Sequence, residues 1–199
     1  MNRRELIQKT SLALGYSLSA PTLLGLLSGC ELKHQAGFAP SFFSSEQAAV
    51  ISDMAETILP RTKTPGAKDA GVPAFIDHFI KEVYNKVDQE NFIKALIDFN
   101  NNPIEKYFRT FGECTPDVQQ NIMHTEHSHA IAGAQGNSEG WWNSGNGAER
   151  PFILRVKELT ILGFFTSEAG ATQVLQYNVA PGPYRGCVPL NEVGKAWAT

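Results

Sequence analysis

Hydrophobic positions recur along most of this chain at helical spacing, and no stretch sustains the period-two alternation of a strand. Ile51, Met54, Ala55, Ile58 and Leu59 fall at i, i+3, i+4, i+7 and i+8 and define one face of a helix. Ser44-x-x-Gln47 predicts a capping box at its start, with Phe43 placed as a staple, and Pro60 stops it. Residues 61–71 form a loop centred on Pro65-Gly66, and Pro73 suits the first position of the next helix. Phe75, Ile76, Phe79, Ile80 and Val83 give that helix its stripe, and Phe92, Ile93, Leu96 and Ile97 repeat the pattern before Asn100-Asn101-Asn102-Pro103 interrupts it. Ile104, Tyr107, Phe108 and Phe111 predict a short amphipathic turn. Thr115-Pro116 then predicts a cap and first residue for a helix to about Ala130.

The last strong pattern is Phe152, Val156, Leu159, Thr160 and Gly163, opened by Pro151, with a short helix allowed after Gly170. Between the patterned segments lies a polar, Gly-rich loop over 133–147 that holds Trp141 and Trp142, and residues 179–189 read as an irregular covering strap that holds Tyr184. The fold class is all-α. The stripes at 51–59, 75–83 and 152–163 are expected to supply one core. That leaves Trp141, Trp142 and Tyr184 in poorly periodic segments, as candidate contacts to a partner.

The N-terminus follows another logic. Arg3, Arg4 and Lys9 precede Ser11–Leu27, a run without charge, and Leu27-Ser28-Gly29-Cys30 follows. Such an order is expected of a bacterial secretory signal. The 17-residue apolar run holds Pro21 and is marginal for a hydrocarbon core of ~30 Å. Leu-Ser-Gly-Cys resembles a lipobox, which makes Cys30 the expected lipidation site, and Arg3-Arg4 followed by apolar residues resembles a twin-arginine (Tat) signal. The expected organisation is therefore signal peptide 1–29, tether 30–41 and helical domain 42–199. The expected location is outside the cytoplasm, as a lipoprotein facing the periplasm. Without residues 1–29 the formal net charge moves from −3 to about −5. That balance argues against nucleic acid and against electrostatic attachment to anionic lipid, so membrane contact falls to the acyl chains. With Cys30 used by lipid, Cys114 and Cys187 are left, free to pair outside the cytoplasm if the fold brings them together.

Candidate chemistry is sparse. His124, Glu126, His127 and His129 invite a metal reading, but a helix sets His127 and His129 on opposite sides, and the spacing is not His-Glu-x-x-His. A solvated helix face explains the cluster better. Ser167-Glu168 lacks the Gly-x-Ser-x-Gly frame of a nucleophile elbow and reads as a helix cap. The sequence holds no Gly-x-Gly-x-x-Gly, no Walker loop and no Cys-x-x-Cys-His. No catalytic, cofactor or metal site is assigned to this chain.

Several short pieces share an order and spacing. They are Phe43-Ser44-x-Glu46, Ile58-Leu59-Pro60-Arg61, Pro65-Gly66-Ala67 and Ala70-Gly71-Val72-Pro73, then Lys157-Glu158-Leu159-Thr160, Gly163-Phe164-Phe165-Thr166-Ser167-Glu168-x-Gly170 and Tyr184-x-Gly186-Cys187. Over residues 41–190 the chain resembles the gluconate 2-dehydrogenase subunit 3 family. The resemblance implies a non-catalytic small subunit beside a large flavoprotein of the glucose–methanol–choline type, which holds FAD, often with a cytochrome c as electron acceptor. It also implies roles in export and maturation of the large subunit. The lipobox at Cys30 departs from the family's usual pattern. Two other readings use the same residues: a stand-alone lipoprotein that holds a ligand near Trp141 and Trp142, and a metal-dependent enzyme built on His124 and His127.

Overall fold

The structure, a computed structural model, describes residues 37–134, 150–176, 182 and 186–198. The described residues form an all-helical body. Its elements are α1 (Ser45–Ile58), α2 (Val72–Val83), α3 (Lys86–Asn101), the single turn α4 (Ile104–Tyr107), α5 (Pro116–Ala134), α6 (Phe152–Phe165) and the short α7 (Leu190–Val193). A 3₁₀ turn spans Phe111–Glu113 and a π turn spans Gly170–Val174.

Helix α1 starts where the sequence predicts. Ser44 Oγ accepts the Gln47 N–H at 3.2 Å, and Gln47 Oε1 accepts the Ser44 N–H at 3.0 Å, so two otherwise orphaned donors are met. Eight consecutive residues, Ala48 to Ala55, are buried, because α1 packs against α2, α3, α5 and α6 together. Helix α6 is its counterpart and also touches α2, α3 and α5.

The core is aromatic. Phe92 on α3 sits between Phe43, Tyr84 and Phe152, with centroid separations of 5.9, 6.1 and 5.2 Å. Phe99 continues the chain of rings from Phe152 to Phe111 at 5.7 and 5.0 Å. A fully buried side chain of this kind contributes ~1.5–3 kcal/mol through burial, and paired rings add ~0.5–1.5 kcal/mol. Close helix approach is set by Gly163: a Cβ there would lie 2.5 Å from the Phe75 ring.

Three details differ from the sequence reading. The buried face of α2 is Val72, Pro73, Ile76, Asp77 and Ile80, while Val83, in its last turn, is mostly exposed. Ile97 and Ile104 are also exposed. Finally, the predicted turn through Phe111 breaks in two, because Phe108 takes a left-handed conformation (φ 55°) that ends α4 and leaves its ring 88% exposed.

The polar member of the α2 face is the fold's main fastening. Asp77 is 1% exposed. Its Oδ2 accepts the Ser41 N–H and hydroxyl at 2.7 and 2.8 Å, and its Oδ1 accepts the Phe42 and Phe43 N–H groups at 3.1 and 2.9 Å. Burial pushes its pKa up, but the donors of Phe43, Ser41 and Phe42 outweigh that and hold it below the ordinary carboxyl value. The chain is thus fixed to α2 before α1 begins, and Phe38 already packs against the core.

Asp77→Ala should destabilise the domain by about 3 kcal/mol, since it strands several buried donors at once. The folded pKa is depressed, so this stabilisation is complete above the unfolded value of ~3.9 and is lost as pH falls through the folded value. Urea midpoints at neutral pH and below pH 4 check both points: the gap between wild type and variant should be widest at neutral pH and shrink in acid.

Candidate functional site

The loop that carries the family-like motif is fastened to α1 and to itself by a set of hydrogen bonds. Glu56, in the last turn of α1, reaches over it: Oε1 accepts the Arg61 N–H and Oε2 the Lys68 N–H, both at 2.9 Å. Asp69 Oδ2 accepts the Gly66 N–H at 3.1 Å, while Oδ1 meets Arg61 Nη1 at 3.4 Å. The Ala67 N–H donates to Leu59 O at 2.9 Å and closes the loop base. Gly66 is needed here for room, since a Cβ would fall on the Glu56 carboxylate and 2.7 Å from the Arg61 nitrogen. The result is a fixed loop whose tip, Arg61 to Thr64, is exposed.

At the foot of this loop is a pocket of about 210 Å³. Its walls include Ser52 from α1, Lys68 from the loop, and Gly71 and Ala74 at the start of α2, with Gly37 and Phe38 along one side. Lys68 Nζ lies 2.8 Å from Asp53 Oδ1, which orients the ammonium group.

His124, Glu126, His127 and His129 all lie on α5. Residues 116–134 form one continuous helix, and among the described residues no three His, Cys, Asp or Glu side chains come together to hold a metal ion. His127 instead faces α6, with Nε2 2.9 Å from Lys157 Nζ. Burial lowers its pKa, and the charges of Lys157 and His124 lower it further, so the neutral ring accepts from the ammonium. Ser167 is a cap. Its hydroxyl donates to Phe164 O at 2.6 Å and accepts the Gly170 N–H at 3.0 Å. A Cβ on Gly170 would collide with the Phe164 carbonyl, which accounts for the glycine in that motif. Cys114 is half-buried and Cys187 exposed, and both are free thiols. Burial raises the Cys114 pKa, against a smaller lowering by Arg109.

The other residues singled out in the sequence, Arg3, Arg4, Cys30, Trp141, Trp142 and Tyr184, lie outside the described residues. The sequence reading missed Glu56 and Asp77. Each is an acid set among the apolar positions of a helix, next to a loop it must hold, and that placement is the signal that could have found them.

The described residues define the class, a small all-helical domain with a strongly held motif loop. The chain matches the family model of gluconate 2-dehydrogenase subunit 3 over residues 45–182, more than half its length, and belongs to that family. By family it is a subunit of a multi-subunit dehydrogenase. No curated protein and no solved structure matches it.

Lys157→Met should raise the His127 pKa, because it removes a nearby positive charge that opposes ring protonation. Imidazole proton shifts followed by NMR across pH 4–8 would register the change. An unmoved or lowered titration midpoint would contradict the contact.

Proposed function

We propose that this chain is the non-catalytic accessory subunit of an exported FAD-dependent dehydrogenase of sugars or sugar acids. It escorts the flavoprotein out of the cytoplasm, supports its maturation and holds it at the membrane. The family match over 45–182 is the observation that carries the reading. Arg3-Arg4 ahead of an uncharged run supplies a Tat-like signal for folded cargo, and Cys30 supplies the anchor. FAD belongs to the large partner, with a cytochrome c as a further partner and electron acceptor. Trp141, Trp142 and Tyr184 are assigned to the flavoprotein contact, since large aromatics supply most of the binding energy where they are buried between subunits.

Recovery of the tagged chain from membranes tests the assembly directly. A yellow, flavin-absorbing large subunit should come with it, and its absence would overturn the reading. Replacing Arg3 and Arg4 by Lys should leave both chains in the cytoplasm. Cys30→Ser should free the chain from the membrane fraction or leave its signal uncleaved. Replacing Trp141 and Trp142 together by Ala should weaken partner recovery roughly thirtyfold at unchanged melting temperature. Wild-type recovery in that variant would place the contact elsewhere.

A further inference from the structure

The pocket at the foot of the 59–71 loop is lined by hydrogen-bond donors, among them the Lys68 ammonium that also pairs with Asp53. Helix α2 is capped by Gly71 (φ 72°), which brings no side chain to its first turn. The Val72 N–H is spent on Ala67 O at 3.1 Å, Pro73 has no N–H, and the Phe75 N–H returns to Gly71 O at 3.1 Å. The Ala74 N–H has no partner among the described residues, and Ala74 lines the pocket. The aligned peptides of this 12-residue helix place partial positive charge at the same spot.

A second, independent observation comes from α1. Ser52 is 2% exposed and lines the pocket, yet its hydroxyl has no hydrogen-bond partner among the described residues. Other helical hydroxyls return to the carbonyl four residues back, as Thr160 does to Val156 O and Ser128 to His124 O. Ser52, which lines the pocket, makes no such bond. Lys68 Nζ gives one proton to Asp53 and has two more to offer. One turn along α2, the Asp77 oxygens are saturated by Ser41 to Phe43, so that carboxylate does not compete for these donors.

We infer that this pocket binds an oxyanion, a carboxylate or phosphate group, held by the Ala74 N–H, the Ser52 hydroxyl and the Lys68 ammonium. At about 210 Å³ it is smaller than the ~300–1,000 Å³ of pockets for drug-sized ligands, which suits a single anionic group and not a dinucleotide. The group has two sources: a free small acid, or an acidic side chain of the partner subunit. The site itself does not depend on the proposed function; only the choice of source does.

The test uses the full chain in detergent, labelled with ¹⁵N. Sodium acetate and sodium phosphate are titrated against sodium chloride at matched ionic strength. The Ala74 amide should move in a saturable way with acetate or phosphate and not with chloride. Ser52→Ala and Lys68→Gln should each weaken that binding roughly fivefold or more, the loss of about one hydrogen bond. The loss of one small hydroxyl in Ser52→Ala keeps the test readable if Lys68→Gln disturbs the loop. Absence of a saturable Ala74 response to both anions overturns the inference, as does a response that both variants leave unchanged. Partner recovery then separates the sources. If saturating acetate and Ser52→Ala both reduce it, an acidic side chain of the partner is the occupant; if neither does, the occupant is a free acid.

Discussion

A single buried carboxylate sets the geometry from which the rest of the domain follows. Asp77 gathers four donors from three consecutive residues, and those residues are the ones that lead into α1. Fixing the backbone of Ser41 to Phe43 places Ser44 at the cap of α1 and turns the Phe43 ring onto Phe92. One interaction therefore joins the start of α1, the middle of α2 and the aromatic centre on α3. Burying a charge without partners would be strongly unfavourable. With charge-assisted bonds to both oxygens it becomes a specific lock, since no apolar side chain could satisfy the same three N–H groups.

The same device recurs at four other turns among the described residues. Glu56 holds the loop after α1. Gln89 sends its side-chain amide to the carbonyls of Ile80, Lys81 and Tyr84 and so closes the turn between α2 and α3. Gln119 donates to Phe111 O and fixes the 3₁₀ turn against α5. At the far end Gln176 binds Val193 O and Lys195 O through its side chain and forms a one-residue parallel bridge with Trp197. The helices of such a small domain are short, and propensity alone would not define the angles between them. Polar side chains that reach from a helix into the neighbouring turn supply those angles. Arg155 is a buried cation: it is 7% exposed, and its guanidinium lies over the Phe92 ring at 5.4 Å. Burial raises the Tyr84 pKa, and the nearby positive charge of Arg155 acts against that rise.

How much of this was legible in the sequence depends on the kind of signal. The capping box at Ser44, the stop at Pro60, the starts at Pro73, Pro116 and Pro151, and the all-helical class all came from local rules, because caps and prolines act within one turn. The stripe of α1 was right at Ile51, Met54 and Ala55. The stripe of α2 was right at Ile76 and Ile80, with Phe75 and Phe79 packed on the core, but it missed Asp77, which does not look like a core residue until the donors of Ser41 to Phe43, more than thirty positions earlier, are brought beside it. Long-range pairing of this sort leaves no periodic trace. The exposed Phe108 failed for a related reason: the hydrophobic pattern cannot register a residue that adopts a positive φ and turns outward. The donor-lined pocket was equally invisible. It depends on one amide of Ala74 and one hydroxyl of Ser52, neither of which is unusual in type.

The motif pieces can now be sorted by physical cause. Gly66, Gly163 and Gly170 are each set against another group so closely that a Cβ would not fit, and Ser167 caps the turn after α6. Val72, Leu59 and Leu159 serve packing, and Pro73 starts a helix. These residues are required by the fold and would be needed whatever the subunit did. What the fold does not require is concentrated on exposed parts of the same pieces: Arg61, whose side chain is 73% exposed and tied only loosely to Asp69, and Phe165, Thr166 and Glu168 beyond α6. An ion pair as exposed as Arg61–Asp69 contributes little to stability, on the order of 0–1 kcal/mol. The rigid base beneath Arg61 is therefore far stronger than the surface pair it carries. A loop fastened at four points under an exposed tip keeps the shape of its surface fixed, which reduces the ordering cost of any contact made there. That property suits a subunit of a multi-subunit dehydrogenase.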